Sequence, residues 1–575
     1  MNYMKKNLII SRIGAVATSV VMIAALAACG NSNSGTGSYA TQPADGTPST
    51  YTGKLPMPEA NGIYNNPQPR EKLKDGGSAT FSLSSAGPDW NYFSVNGNTV
   101  DIDTLWSYYM PKLWISNADG SKLTPNSNYI TSYDEKTVDG KQTITITFSP
   151  KAKWNDGTDI DWTAVEAAWK VRIENGYTPS STDGWDQVES VKQGTSAKQA
   201  VITMAKPYYP ANTFIDIYHP KAASVDTFTK GWIDNPHNEW GAGPYIVDSR
   251  SDSQVVFKPN PKWWGNKPKL TTVTYKILEN QAEINAFKNG EIDAASVGSK
   301  DKLATVRTIK DAQIRRGFGS STAAYQLNTT KDSLKDIAVR KAFNQALDRS
   351  QLVKIVYAGL DWTENTPGSL LVAPYRKGYE NNMPKDSGFS TANAKKTLEG
   401  AGYTMGSNGY YQKNGKDLSI TYTDFSDSAT TKAIALAVQK MMKNAGIKLN
   451  IDIKGSSEFS TVLNSGNWEI IAMSWQSGSP YGYVGGKQIY GSQSESNVSH
   501  AGNASIDSAF EEVPTISDPS KQLSAFNKAE KKALALYGQL PIWSGPTMGV
   551  YKKGLANVGP ARYLTVLRED VGWMK

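Results

Sequence analysis

Strand-like and helix-like patterns alternate along nearly 500 residues from about Ser78, and this interleaving restricts the chain to an α/β architecture. Gln142–Phe148 alternates polar and apolar residues with β-branched side chains, the mark of a half-buried strand, and Val255–Phe257 and Thr272–Ile277 read the same way. Asn280–Gly290 reads as a short helix. Asn280 is placed to cap it, Glu283 to complete a capping box, and Gly290 to end it. Helical stripes follow at Asp336–Asp348 and at Asp427–Ala445. In the second, Ile434, Val438, Met441, Met442 and Ala445 fall on one face before Gly446 stops the helix and Lys448–Ile453 returns to strand. No repeat of 20–50 residues is present, which excludes a solenoid or propeller.

The N-terminus has a different character. Lys5, Lys6 and Arg12 precede Ile13–Ala28, an uncharged, mostly apolar run of 16 residues, short for a spanning helix and suited to an export signal. It ends in Leu26-Ala27-Ala28-Cys29-Gly30, with the only cysteine of the chain at the junction. This resembles a bacterial lipobox, which implies removal of residues 1–28 and lipidation of Cys29. Of the 21 residues from Gly30 to Thr50, 16 are Gly, Ser, Thr, Asn or Pro, and the tract 29–77 is expected to be a flexible tether. Outside the N-terminus no uncharged apolar run approaches a membrane span.

Cleavage after Ala28 removes three positive charges, leaving 58 basic against 53 acidic residues, or +5 over 547 residues. That balance is too dilute for a nucleic-acid partner, and no basic cluster tracks phosphates. Catalytic signatures are also missing. The three histidines, His219, His237 and His500, do not form a zinc-protease helix, and a lone cysteine cannot build a thiolate site. There is no Gly-x-Ser-x-Gly elbow and no Gly-x-Gly-x-x-Gly after a strand; Gly485-Gly486-Lys487-Gln488 lacks the hydroxyl residue of a phosphate loop. Carboxylate inventory alone leaves a paired-acid glycosidase open. No enzyme activity, cofactor or metal is expected.

Five separated segments, in order, carry a resemblance. They are Lys153-Trp-Asn-Asp-Gly to Val165; Gly241-Ala-Gly-Pro-Tyr245 with Phe257-Lys-Pro-Asn-Pro-Lys-Trp-Trp-Gly265; Gly290-Glu-Ile-Asp293; Arg340–Arg349; and Leu540-Pro-Ile-Trp543. Together they resemble the extracytoplasmic solute-binding proteins of peptide-type ABC importers over about residues 78–575. The resemblance implies a two-lobed fold of the type II periplasmic-binding-protein kind, with a ligand cleft between lobes and an extra subdomain in the first. Lobe 1 is expected at 78–318 plus 541–575 and lobe 2 at 322–537, with crossings near Gly317–Ser321 and Tyr537–Leu540. Glycines 317, 319 and 538 are hinge candidates.

It also implies a monomeric receptor on the outer face of the cell membrane. The receptor captures oligopeptides and passes them to the permease subunits. Peptide backbones are expected to pair with short strands at Pro88–Asn98 and Ile470–Trp475. Site candidates are Trp90, Tyr92, Asn96, Ser474, Trp475, Gly478, Tyr481 and Tyr483. Peptide binders often carry an Asp three residues after the tryptophan matching Trp475, where it meets the peptide ammonium; here that position is Gly478. Asp89, Asp101 or Asp103 could supply the charge instead. The aromatic candidates also suit a second solute class, an oligosaccharide or other small molecule. A surface hydrolase and an adhesin are the remaining classes.

Overall fold

The computed structural model describes residues 39–575 except Asp427 and Gly478, with Asn280 described by its backbone alone. The signal segment, Cys29 and the candidate Gly478 lie outside the described residues.

Two sheets meet at a double crossing. The strand Ala312–Phe318 belongs to a four-stranded sheet with Thr47–Pro48, Pro546–Lys552 and Ala294–Ser296. Two residues later the chain enters Ser321–Leu327, an inner strand of a five-stranded sheet. That sheet runs Lys448–Ile453, Ser419–Asp424, Ile470–Gln476, Ser321–Leu327, Gln539–Trp543. The chain returns through Ser544 and Gly545. The return was expected at Tyr537–Leu540. Pairing of Gln539–Trp543 with Gln326–Ala323 instead carries the strand onward in the second sheet, and Gly538 precedes it without marking a crossing. The two crossings touch: the Gly319 N–H donates to the Gly545 carbonyl at 3.4 Å. Glu364 accepts from the Ser544 and Gly545 amides at 2.8 and 2.7 Å. Gly545 has φ +72°, and a Cβ there would stand 2.2 Å from the Tyr357 hydroxyl, so the position needs glycine.

Helix Ala429–Asn444 connects the parallel strands Ser419–Asp424 and Lys448–Ile453. Its predicted face is buried at Ile434, Val438, Met441 and Met442, and the Ser428 hydroxyl caps it by accepting from Thr431 N–H. The stripe at Asp336–Asp348 becomes helix Ile337–Ala346 followed by Arg349–Val356, with Asp336 and Asp348 as the caps. Helix Asn280–Lys288 has Glu279 at its N-cap and no side-chain cap. Glu283 does not close a capping box, because its carboxylate is drawn to Lys302, Ser82 and the Ser296 amide.

Among the described residues the first lobe holds three four-stranded sheets and two two-stranded ones. Besides the crossing sheet, Ser78–Leu83 pairs in parallel with Thr272–Ile277, which continues antiparallel to Gln254–Pro259 and Tyr245–Ser251. A separate antiparallel sheet, Ile130–Val138, Lys141–Phe148, Gln199–Met204 and Val188–Gln193, forms the expected subdomain. Its strand Lys141–Phe148 buries Gln142, Ile144, Ile146 and Phe148, as the alternation predicts.

The tether expectation fails beyond residue 41. Thr47–Pro48 pairs with Gln313–Ile314, and Leu55 and Leu73 are buried. Two buried guanidiniums hold this segment through its carbonyls. Arg315 donates to Asp45 O, and Arg316 to Leu55 O and Pro56 O. The low apolar content is offset by hydrogen bonds to a desolvated cation.

Candidate functional site: a cleft between the two sheets

The segments that carried the resemblance are mostly scaffold. Asn155 donates from its backbone to Gly241 O at 2.8 Å, and Asn260 Nδ2 donates to Asn155 Oδ1 and Gly243 O at 2.9 and 2.8 Å. Three motifs thus meet at one knot. Asp156-Gly157 is a tight turn with Gly157 at φ +92°, and Trp154 is buried beneath it. Arg340 spends its guanidinium on Leu334, Lys335 and Leu536 carbonyls.

What the scaffold positions is a cleft. A cavity of about 290 Å³ lies between the first lobe, at Gly298, Ser299 and Lys302, and the second, at Ala323, Ala324, Asp424, Thr431 and Ala472–Ser474. A neighbour of about 260 Å³ is walled by Ser82, Ser84, Asp101, Glu279 and Glu283, and Ser426 lines both. The lobes touch at the rims. Ser456 Oγ donates to Glu279 Oε2 at 3.0 Å. Along another seam the Gln488 amide donates to Asp183, Lys487 pairs with Asp186 at 3.1 Å, and Ser496 Oγ donates to Ser180 O. The conformation is therefore closed.

One wall is a bare strand edge. Ile470–Gln476 pairs antiparallel with Ser321–Leu327 along its whole length. On its other side Ser419–Asp424 pairs only with Ile470 and Ile471. Among the described residues, no further backbone group bonds to Ala472–Gln476 on that side. Ala472, Met473 and Ser474 line the cavity, so those of their amides and carbonyls that point away from Ser321–Leu327 are available to an extended ligand.

Charge at the site is mostly acidic. Lys302 Nζ lies 3.1 Å from Glu283 Oε2, both side chains buried, and Glu283 Oε1 accepts from Ser82 Oγ and Ser296 N–H at 2.9 Å. Asp424 receives the Tyr422 hydroxyl and the Phe425 amide. Burial raises its carboxyl above the ordinary range against the pull of these donors. Asp101 is raised by burial in the same way and accepts from Ser84 Oγ and Ser85 N–H.

The candidate residues scatter. Ser474 lines the cavity, and Trp475 is half-buried beside it. Trp90 does not face a ligand: it is fully buried in the first lobe, its carbonyl taken by Trp106 Nε1. The Pro88–Asn98 segment is not a pairing strand. Asp89 is spent on Asn91 N–H and Ser94 Oγ, which folds it into a packed turn. Tyr92 leans on Trp106 with centroids 5.8 Å apart, Asn96 is exposed, and neither lines the cavities. Tyr483 is buried in the second lobe with its hydroxyl on Gln522, and Arg376 lies over its ring at 5.0 Å. Tyr481 packs near it and reaches Ser121 O at 3.4 Å. Of the charge candidates Asp101 is in the cleft, Asp89 is structural, and Asp103 is exposed. Lys302, Glu283 and Asp424 were not foreseen. The signal for Asp424 was available: Asp424-Phe-Ser is the polar turn at the carboxyl end of a parallel strand, where open α/β sheets bind ligands.

Two lobes, two adjacent crossings and a walled cleft define a receptor that encloses a solute. The model of the bacterial extracellular solute-binding proteins, family 5, matches residues 124–497. The chain is 30% identical over 522 residues to the oligopeptide-binding protein OppA of Mycobacterium tuberculosis, covering 89% of this chain and 87% of that one. Among solved structures, the oligopeptide-binding protein AppA of Bacillus subtilis, in complex with a nonapeptide, superposes with TM-score 0.75 at 17% identity, covering 88% of this chain and all of that one. The periplasmic EDTA-binding protein EppA gives 0.74 at 22% identity over 89% and 98%. The chain belongs to the family 5 extracellular solute-binding proteins, the extracytoplasmic binding receptors of ABC importers, which are not enzymes. Among the described residues no helix is long and apolar enough to cross a membrane.

Proposed function

We propose that the protein captures oligopeptides in the cleft and delivers them to the permease subunits of an ABC importer. The observation that carries this reading is the bare edge at Ala472–Gln476, which can hold an extended backbone whatever its side chains. Relatives named as oligopeptide-binding proteins support it. The oligosaccharide alternative has less support, since Trp90 and Tyr483 are buried and present no ring face for a sugar to stack on. The receptor acts as a monomer, held at the outer face of the cell membrane through lipid on Cys29, with the Gly/Ser/Asn-rich sequence after it as the link.

Thermal unfolding with a random peptide library tests the cargo. A ligand bound only by the native state at 100 times its Kd stabilises by about 2.7 kcal/mol, so a clear upward shift is expected. No shift with any pool, beside a shift with a glycan or chelate library, would overturn the peptide reading. Labelling of the full chain in cells with a palmitate analogue, lost in Cys29→Ser, tests the anchor.

A further inference from the structure

The cleft has a charge imbalance that its own side chains do not resolve. The single lysine of the cavity lining, Lys302, is already neutralised by Glu283, whose other oxygen is filled by Ser82 and Ser296. Asp424 lines the same cavity, and among the described residues no lysine or arginine pairs with it. Its two partners, the Tyr422 hydroxyl and the Phe425 amide, are neutral donors. In the adjoining cavity Asp101 and Glu279 likewise meet only neutral groups, Ser84, Ser85 and Ser456. A carboxylate drawn out of water without a counter-charge is costly, and an arriving cation recovers that cost.

The nearby start of helix Ala429–Asn444 does not reverse this. Its first turn is already served by Ser428, which takes Thr431 N–H on its hydroxyl and Lys432 N–H on its carbonyl. An anionic ligand seated there would face Asp424. The bare edge Ala472–Ser474 lines the same cavity, so a backbone lying along it brings a terminal or side-chain group within reach of Asp424.

We propose that Asp424 selects cargo by charge, receiving the cationic nitrogen of the bound peptide, either its α-ammonium or a lysine or arginine side chain. This rests on the peptide reading above and assigns to another strand the counter-charge that Gly478 cannot provide. Burial of the carboxyl agrees with it, since a carboxyl raised by desolvation gains most from a cation.

Titration calorimetry on the full chain tests the assignment with three peptides of one neutral sequence: N-acetylated, free at the amino terminus, and N-acetylated with one lysine. At least one cationic peptide is expected to bind about tenfold or more tightly than the neutral one. Which one it is separates the two sources. Asp424→Asn collapses that difference, with folding checked by thermal melting and Asp424→Ser as the second variant. Equal affinity of all three for the unmodified protein, or a preference that survives in the variants, overturns the assignment and leaves the peptide reading standing. Absence of binding by all three to the unmodified protein overturns both.

Discussion

The Asp183 carboxylate, carried by the first lobe, accepts the backbone N–H of Gln488 in the second at 3.0 Å. Burial at this seam and the neighbouring Asp186 push its carboxyl up to about 7, against the opposing pull of Lys487. Lys487 also pairs with Asp186 and Glu511, and Tyr208 lies within the same field. When the lobes part, Asp183 returns to water and toward the ordinary carboxylate range. Closing therefore takes up a proton between those limits. The closed form is favoured below about 4 and loses that advantage as pH rises through about 7. Affinity for a neutral, N-acetylated peptide, which does not depend on the charge of Asp424, should increase as pH is lowered from 8 to 5, and Asp183→Asn should flatten the profile.

The segment after residue 41 belongs to the folded body. Arg316 donates to four carbonyls, those of Leu55, Pro56, Leu360 and Asp361. Replacing it with methionine keeps volume and strands these acceptors, at about 2–4 kcal/mol. Urea unfolding should show the loss, and a chain beginning at residue 78 should melt well below one beginning at residue 39.

Backbone pairing at Ala472–Gln476 predicts an alternating response to ligand N-methylation. Successive amides of an added strand point to opposite sides, so methylation at positions facing the protein removes one bond. Each should weaken binding by about 1 kcal/mol, roughly fivefold, while intervening positions tolerate the change. A uniform response along the peptide would contradict strand addition.

Gly545 at the return crossing admits no side chain. Gly545→Ala places a methyl on the Tyr357 hydroxyl and forces a left-handed residue to carry Cβ, which should cost about 1–3 kcal/mol in a thermal melt. Adding Tyr357→Phe should recover part of the loss.

Periodicity made the architecture readable. The stripe Ile434–Met442 and the alternation Ile144–Phe148 are the faces that the core buries. Short-range patterns cannot reveal long-range partners. Glu283 has the spacing of a capping residue, but Lys302, 19 residues on, turns it away together with Ser82 and the Ser296 amide. Trp90 and Tyr483 carry the chemistry of a binding site, yet neighbours distant in sequence, Trp106 and Gln522, enclose them. The Gly/Ser-rich composition before residue 77 resembled a tether because the buried cations that order it, Arg315 and Arg316, lie more than 200 residues away.

Enclosure of cargo by closing lobes is tested most directly by an interlobe distance. With Cys29 replaced by serine, spin labels at Glu279 and at Ser457, beside the contact between Glu279 and Ser456, report on the rim of the cleft. A saturating peptide should yield one short, narrow distance, and its removal should lengthen and broaden the distribution. Identical distributions with and without a peptide that calorimetry shows to be bound would contradict the account.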